Sequence, residues 1–510
     1  MTVLIQDTTI VAMDDEHGAH PFRADIRIEG DRIAEIGRGL VTGDAEVIDG
    51  RRRLAIPGLV NAHFHSDQNF LRGRYQSRPL EVMMLYTYPL DPSFRVEPEL
   101  VRLRTLAVAC EALKSGVTCL LDDCCEMPNQ EFAQLEAIFN AYEQIGIRAN
   151  CSGNVINRPF METIPYADRF LPSEMHELFS ASPLPTADDY IAYATEAVER
   201  FHGRAGRLRF IVAPSAPQRC TAELLVAAAE FADQHDLSYH THVLETKVQQ
   251  VTAAECFGKS LIRYLGDIGV LRRRVTLAHA IWVDDEDIDI MASSGCSVAH
   301  NPACNLRMGA GIAPLRKLLD AGVNVGLGTD AIDSNDSGRI FDVMHLTGLI
   351  HSLTDVDYER WPTTTEVLRA ATMGGARAVG LEREIGSLEV GKKADIVLLT
   401  LDAWPLMPLN DPSVHLVHAE NGSSVRDVIV GGEIVVRDGE LTRINEAEVM
   451  AEIHARAPEY LSQRDRWEAV AATCEPHMRA LYEHCATRET GLNRLAHTPA
   501  TCAHANAVTP

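Results

Sequence analysis

Apolar residues in this chain change their spacing twice. Over the first 55 residues they come as short runs parted by turn residues: Val3-Leu4-Ile5, Thr9–Ala12, Asp25–Ile28 and Arg32–Ile36. The same pattern returns near the other end in Ala394–Leu399, Val425–Val430 and Glu433–Val436, with Gly431-Gly432 as a hairpin turn between the last two. Runs of this length broken by polar turns predict strands. The two ends together are expected to build one small β-sandwich.

Between them, strand-like runs alternate with helical stretches at Glu97–Ser115, Gln130–Ile145, Ala187–His202, Thr221–His235 and Thr364–Val379. Counting the run that ends at His65, there are eight predicted strands, and the others end at Asp122, Ser152, Ala213, His242, His279, His300 and Gly328. Strands and helices in regular alternation predict an α/β fold, a (β/α)8 TIM barrel. Beyond Arg443, Glu446–Glu459 and Asp465–Cys485 look helical, and from Thr487 the Ala, Thr, His and Pro composition predicts disorder. The expected division is a composite β-sandwich domain (1–56 plus 381–443), a hydrolase barrel (57–380) and a helical C-terminal extension with a disordered end (444–510).

Composition narrows the function classes. Of 510 residues, 46% are apolar and 23% charged, an ordinary globular balance with material for a large core. The net charge of −25 argues against nucleic acid or an anionic membrane as partner. The 12 cysteines are scattered without zinc-ribbon spacing, so free thiols in a reducing cytoplasm are expected. No apolar run approaches the roughly 20 residues needed to span a bilayer.

The chemistry sits at the strand ends. His63 and His65, spaced i, i+2 at the end of the first barrel strand, point to one face and can reach one ion. His242, His279 and Asp330 end later strands, on the face where such barrels place their active sites. Imidazoles plus a carboxylate suit a hydrolytic zinc or iron site. His63, His65 and His242 are expected as neutral ligands, Asp330 as the anionic ligand and acceptor for a bound water. A bound metal lowers the pKa of water from 15.7 to about 7. Glu245, three residues after His242, is placed to move a proton from water to the leaving group, and His279 to contact the nucleophile or substrate. His240 faces the same way as His242 and competes for the ligand role; it and His300 are expected as hydrogen-bonded core histidines.

These fragments resemble the amidohydrolase superfamily, from about residue 1 to about 440. The matching motifs are Pro57–His65, His242-Val243-Leu244-Glu245-Thr246, Leu277–Trp282, Val298–Pro302, Gly311–Pro314 and Gly328-Thr329-Asp330. Within the cytosine-deaminase-like branch they are most similar to methylthioadenosine/S-adenosylhomocysteine deaminases and s-triazine hydrolases of the atrazine chlorohydrolase type. The resemblance implies one divalent ion, Zn2+ or else Fe2+, on His63, His65, His242 and Asp330, with Glu245 as proton shuttle. No lysine ends the fourth strand to bridge two metals, which also favours one ion. Three departures bear on substrate, one of them the Met-rich apolar loop Arg78–Tyr86 after His65, which is expected either to line a flat hydrophobic pocket or to pack under a long loop. Ser215 in Pro214-Ser215-Ala216-Pro217 and Asp91 in Tyr88-Pro89-Leu90-Asp91 replace the His and Glu by which nucleoside-type members hold substrate.

The expected activity is therefore metal-dependent hydrolysis of a non-peptide carbon–nitrogen bond, first of all hydrolytic deamination of an aminated heterocycle. Glu245, His279 and Asp330 are the catalytic candidates, and Asp91 and Ser215 the substrate contacts. The same site also suits triazine dechlorination or N-dealkylation, or urea or amide hydrolysis; a non-catalytic scaffold is the remaining alternative. A small-molecule substrate and a homo-oligomer are the expected partners.

Overall fold

The computed structural model describes residues 2–91, 94–127 and 130–496. Both chain ends feed one nine-stranded sheet. Its strands are β1 (Thr2–Ile10), β2 (Phe22–Glu29), β3 (Arg32–Gly37), β4 (Glu46–Asp49), β5 (Arg53–Pro57) and, after the barrel strands β6–β13, β14 (Ile396–Thr400), β15 (Val425–Val430), β16 (Glu433–Arg437) and β17 (Glu440–Leu441). The N-terminal and C-terminal parts meet where β5 pairs antiparallel with β14, Ile56 opposite Val397. The sandwich expected from the sequence is thus a continuous hydrogen-bonded ladder wrapped on a common core that includes Ile5, Ile26, Ile48, Leu398 and Ile429. The two runs expected at Val3–Ile5 and Thr9–Ala12 are one strand, interrupted by a bulge between Ile5 and Thr8 at which Asp7 takes φ 58°. Gly431 and Gly432, both at positive φ, make the β15–β16 hairpin.

The barrel strands are β6 (Leu59–Phe64), β7 (Val117–Asp122), β8 (Arg148–Ser152), β9 (Leu208–Ile211), β10 (Tyr239–Val243), β11 (Val275–His279), β12 (Ser297–His300) and β13 (Asn324–Leu327). Six of the eight are buried at every position, as expected for strands covered on both faces, and β9 and β13 depart only at Arg209 and Asn324. They pair in parallel as β6-β7-β8-β9 and β10-β11-β12-β13. A parallel bridge between Val212 and Tyr239 joins the two groups, and on the far side the Asp330 N–H donates to the His63 carbonyl (3.0 Å). This is the TIM-barrel arrangement. A bidentate, buried Arg148–Asp395 pair (2.8 and 2.9 Å) ties the barrel to the sheet.

The C-terminal extension departs from expectation in two ways. Instead of two helices there is one, Glu446–Ala486, which runs through Pro458 and Pro476. Its packing supplies the reason. Buried Arg464 donates to the carbonyls of Tyr86 and Thr87 (2.7 Å to the latter), and Trp467 Nε1 donates to the Leu85 carbonyl (2.7 Å). Tertiary contacts of this kind override the local cost of proline. Residues 487–496, expected to be disordered, cross the strand-end loops, where the Arg494 guanidinium donates to the carbonyls of Ile281 (3.0 Å) and Val283 (2.6 Å). The rest of the segment, 497–510, lies outside the described residues.

Candidate metal centre and substrate cavity

His63, His65, His242, Glu245, His279 and Asp330 converge from the ends of β6, β10, β11 and β13 and are all buried. Ligand-type atoms of His63, His65 and Asp330 lie within 4.8 Å of one another, as do those of His63, His242 and His279. Asp330 Oδ1 is 3.4 Å from Nε2 of both His63 and His65, and His242 Nε2 is 3.3 Å from His65 Nε2.

The opposite ring nitrogens are occupied. His65 Nδ1–H donates to the Asp123 carbonyl (2.6 Å) and His242 Nδ1–H to the Ser215 carbonyl (2.8 Å). His63 Nδ1 lies 2.9 Å from His240 Nε2. Each of these bonds leaves Nε2 to present a lone pair, and His63 Nε2 is a buried atom with no hydrogen-bond partner among the described residues. An orphaned imidazole nitrogen facing a carboxylate and two further imidazoles fits a divalent cation. The charges agree. Burial alone would lower the His65 pKa, but Asp330, Asp123 and Asp67 outweigh it and raise it, an anionic surround that favours positive charge at this point, whether a proton or a cation that replaces it. Burial would raise the Asp330 carboxyl, yet His63, His279 and His65 hold it well below the usual carboxylate range. The residues present could therefore hold a single divalent metal.

Beside this cluster, His279 Nε2 stands 3.6 Å from Glu245 Oε2 and 3.5 Å from Asp330 Oδ2. Its Nδ1 is fixed 2.9 Å from Asn305 Oδ1, with Asn301 Nδ2 at 3.3 Å. Glu245 has its own N–H tied to Gln249 Oε1 (2.9 Å), and burial pushes its carboxyl above the ordinary value. Four residues at these strand ends take left-handed backbone: Leu244 (φ 48°), His279 (75°), Ala280 (45°) and Asp330 (60°). Conformations of this kind cost about 1–3 kcal/mol each in non-glycine residues and persist where surrounding contacts over-determine them. Here those contacts include the Ala280, Ile281 and Trp282 N–H groups, which donate to the carbonyls of Val243 and Leu244.

A cavity of about 590 Å³ opens onto the cluster. Ser215 lines it, together with Glu81, Arg219, Asp333 and an apolar wall that includes Met84, Phe160 and Val248. Asp91 is exposed and stands outside the described lining, which reaches Leu90. His240, the competitor of His242 in the sequence, lies behind His63, and His300 Nε2 lies 3.0 Å from His351 Nε2. Sequence reasoning passed over Asp123, Asn305, Arg219 and Glu81. Asp123 carried a signal, as the second of two acids ending the apolar run Val117–Asp122. Glu81 did too, as an acid inside the apolar stretch Leu80–Leu85.

A model of the amidohydrolase family matches residues 54–435. The chain is 33% identical to a 5-methylthioadenosine/S-adenosylhomocysteine deaminase of Thermococcus kodakarensis, over 81% of this chain and 90% of the relative. It is 32% identical to a 5'-deoxyadenosine deaminase of Methanothermobacter thermautotrophicus, over 86% and 95%. Among solved structures it is similar to the atrazine chlorohydrolase of Arthrobacter aurescens TC1 complexed with zinc (TM-score 0.80, 27% identity, 89% of this chain and 100% of that one). With the match running from the strand before His63 to the last strands of the C-terminal sheet, the chain belongs to the amidohydrolase family.

Proposed function

We propose that this protein deaminates an aminated heterocycle by hydrolysis, converting a ring C–NH2 to C=O with release of ammonia and consumption of one water. The observation that carries this reading is the set of three Nε2 lone pairs, each fixed by a bond at the opposite nitrogen, grouped with Asp330 beside a buried acid, Glu245. His63, His65, His242 and Asp330 would hold one divalent ion, Zn2+ first and Fe2+ as the alternative. Such an ion, when bound, makes water acidic enough to act as a nucleophile near neutral pH.

The chain's own groups do the rest. Glu245 takes a proton from the attacking water and delivers it to the departing nitrogen, a task suited to a carboxyl that burial pushes upward. His279, with Nδ1 held at Asn305, directs Nε2 between Glu245 and Asp330 and steadies the oxygen added to the carbon. Ser215 meets the ring inside the cavity, while Asp91, exposed beside Leu90, contacts only the outer end of a substrate. Names of relatives that deaminate adenosine derivatives support the reaction class.

The apolar wall favours one second reading, in which the leaving group is chloride or an alkylamine on a triazine. Ammonia, amine and chloride release from purines, pterins, triazines and aryl ureas distinguishes the two. Turnover of none of them by metal-loaded protein would overturn the substrate class.

A homo-oligomer in a reducing cytoplasm completes the proposal. Leu349, Leu353, Val356, Tyr358 and Trp361 are exposed within one short segment, an apolar patch suited to a subunit contact. Nine of the eleven described cysteines are buried free thiols. A single monomeric species in sedimentation equilibrium would remove the oligomer.

A further inference from the structure

The helix Leu80–Thr87 follows the first barrel strand and carries one acid, Glu81, among apolar residues. Glu81 is only 8% exposed and lines the cavity with Ser215, Arg219 and Glu245. Thr246 Oγ1 donates its one proton to Glu81 Oε1 (2.5 Å), while the same oxygen accepts from the Gln249 N–H (3.2 Å) and so caps the helix that starts at Lys247. This commits Oε1 as an acceptor and fixes the carboxyl plane. Oε2 is buried and has no hydrogen-bond partner among the described residues.

A buried carboxyl oxygen without a partner costs the full desolvation of that atom, and the cost falls when a ligand supplies the missing donor. Glu81 lines the cavity, so a ligand bound there is the available source of that donor. Burial and the nearby Glu245 charge hold the carboxyl up at about 7, so both the ionised acceptor and the protonated form are accessible near neutral pH. An N–H on the ligand selects the ionised form.

We propose that Glu81 is a specificity-determining residue: its Oε2 accepts a hydrogen bond from a second N–H of the bound heterocycle, a group other than the amine that leaves. The ligand class this selects is a polyaminated ring with an amidine-type edge, such as a diaminotriazine or a diaminopurine. The bond turns the ring about the wall formed by the Leu80–Thr87 helix and presents the reacting carbon toward Glu245. This rests on the deaminase reading given above.

Calorimetric titration tests it with two probes, 2,4-diamino-1,3,5-triazine and 2-amino-4-methoxy-1,3,5-triazine, which differ by replacing an N–H donor with an ether oxygen. Metal-loaded wild type is expected to bind the diamino probe about tenfold more tightly. Glu81→Leu should reduce that gap below threefold with metal content unchanged. Glu81→Gln keeps the side-chain shape and can turn its amide nitrogen toward the cavity, so it should shift preference toward the methoxy probe; this variant serves if Glu81→Leu does not fold. Equal wild-type affinities, binding of neither probe, or an undiminished gap in both variants would overturn the role of Glu81. Selective binding without release of ammonia would leave Glu81 as proposed and count against the deaminase reading instead.

Discussion

His240 Nε2 lies 2.9 Å from His63 Nδ1, so a residue on β10 braces the first histidine of the β6 pair. If His63 Nε2 is to offer a lone pair to a cation, its proton sits on Nδ1 and points at His240. Burial, with His63, His65 and His279 nearby, holds the His240 imidazole well below its usual pKa, so it stays neutral and can accept. Partners of this kind are typically worth 10–100-fold in metal affinity. His240→Ala is accordingly expected to weaken zinc binding about 10–100-fold with the fold retained, measured by competition against a chromophoric chelator. Unchanged affinity would make His240 ordinary core.

Glu245→Gln keeps the size of the side chain and its N–H bond to Gln249 but cannot carry a proton. General acid–base catalysis contributes about 10²–10⁴-fold. Ammonia release should fall by that factor while one equivalent of metal is retained. Near-normal turnover would transfer the proton shuttle to another group.

Arg464 binds the C-terminal helix to the Leu80–Thr87 helix that walls the cavity, with its guanidinium on the Tyr86 and Thr87 carbonyls. Arg464→Met keeps much of the apolar stem but leaves those carbonyls without their donor, a change expected to cost roughly 1–3 kcal/mol. The cavity wall loosens with it. Thermal denaturation should show a lowered Tm, and KM should rise more than kcat falls; an unaltered Tm and KM would mean the helix does not hold the wall.

Glu81 makes stability depend on pH. Its folded pKa, about 7, lies above the unfolded carboxyl value near 4.5. The folded state therefore binds the proton more tightly: the contribution is complete below pH 4.5 and is lost as pH rises through 7. Over that window wild type should lose up to about 3 kcal/mol relative to Glu81→Gln, as followed by urea denaturation at several pH values. A difference that does not change with pH, or that grows in favour of wild type as pH rises, would contradict the buried state of this carboxyl.

Much of this architecture is legible in the sequence. Barrel strands buried on both faces leave near-continuous apolar runs, and the residues that end them are polar because they face the mouth; hence His63, His65, His242, His279 and Asp330 stood out. The supports were less visible. His240 and His242 share a strand face, and only the position of β6 puts His240 behind His63. Asn305 and Arg494 act on residues 26 and 213 positions away, a coupling with no periodic trace in the sequence. The C-terminal helix read as two pieces parted at residues 460–464, whereas here Arg464 and Trp467 anchor it as one helix through that stretch, between Pro458 and Pro476.

We propose a hydrolase that depends on one metal ion held at His63, His65, His242 and Asp330. Its most direct test is stepwise return of zinc to chelator-stripped protein, with bound metal and ammonia release from an aminated triazine or purine followed together. Activity should rise linearly and level off at one equivalent per chain, and His63→Ala should neither retain the ion nor recover. Full activity in stripped protein, or one equivalent bound equally well by His63→Ala, would contradict it.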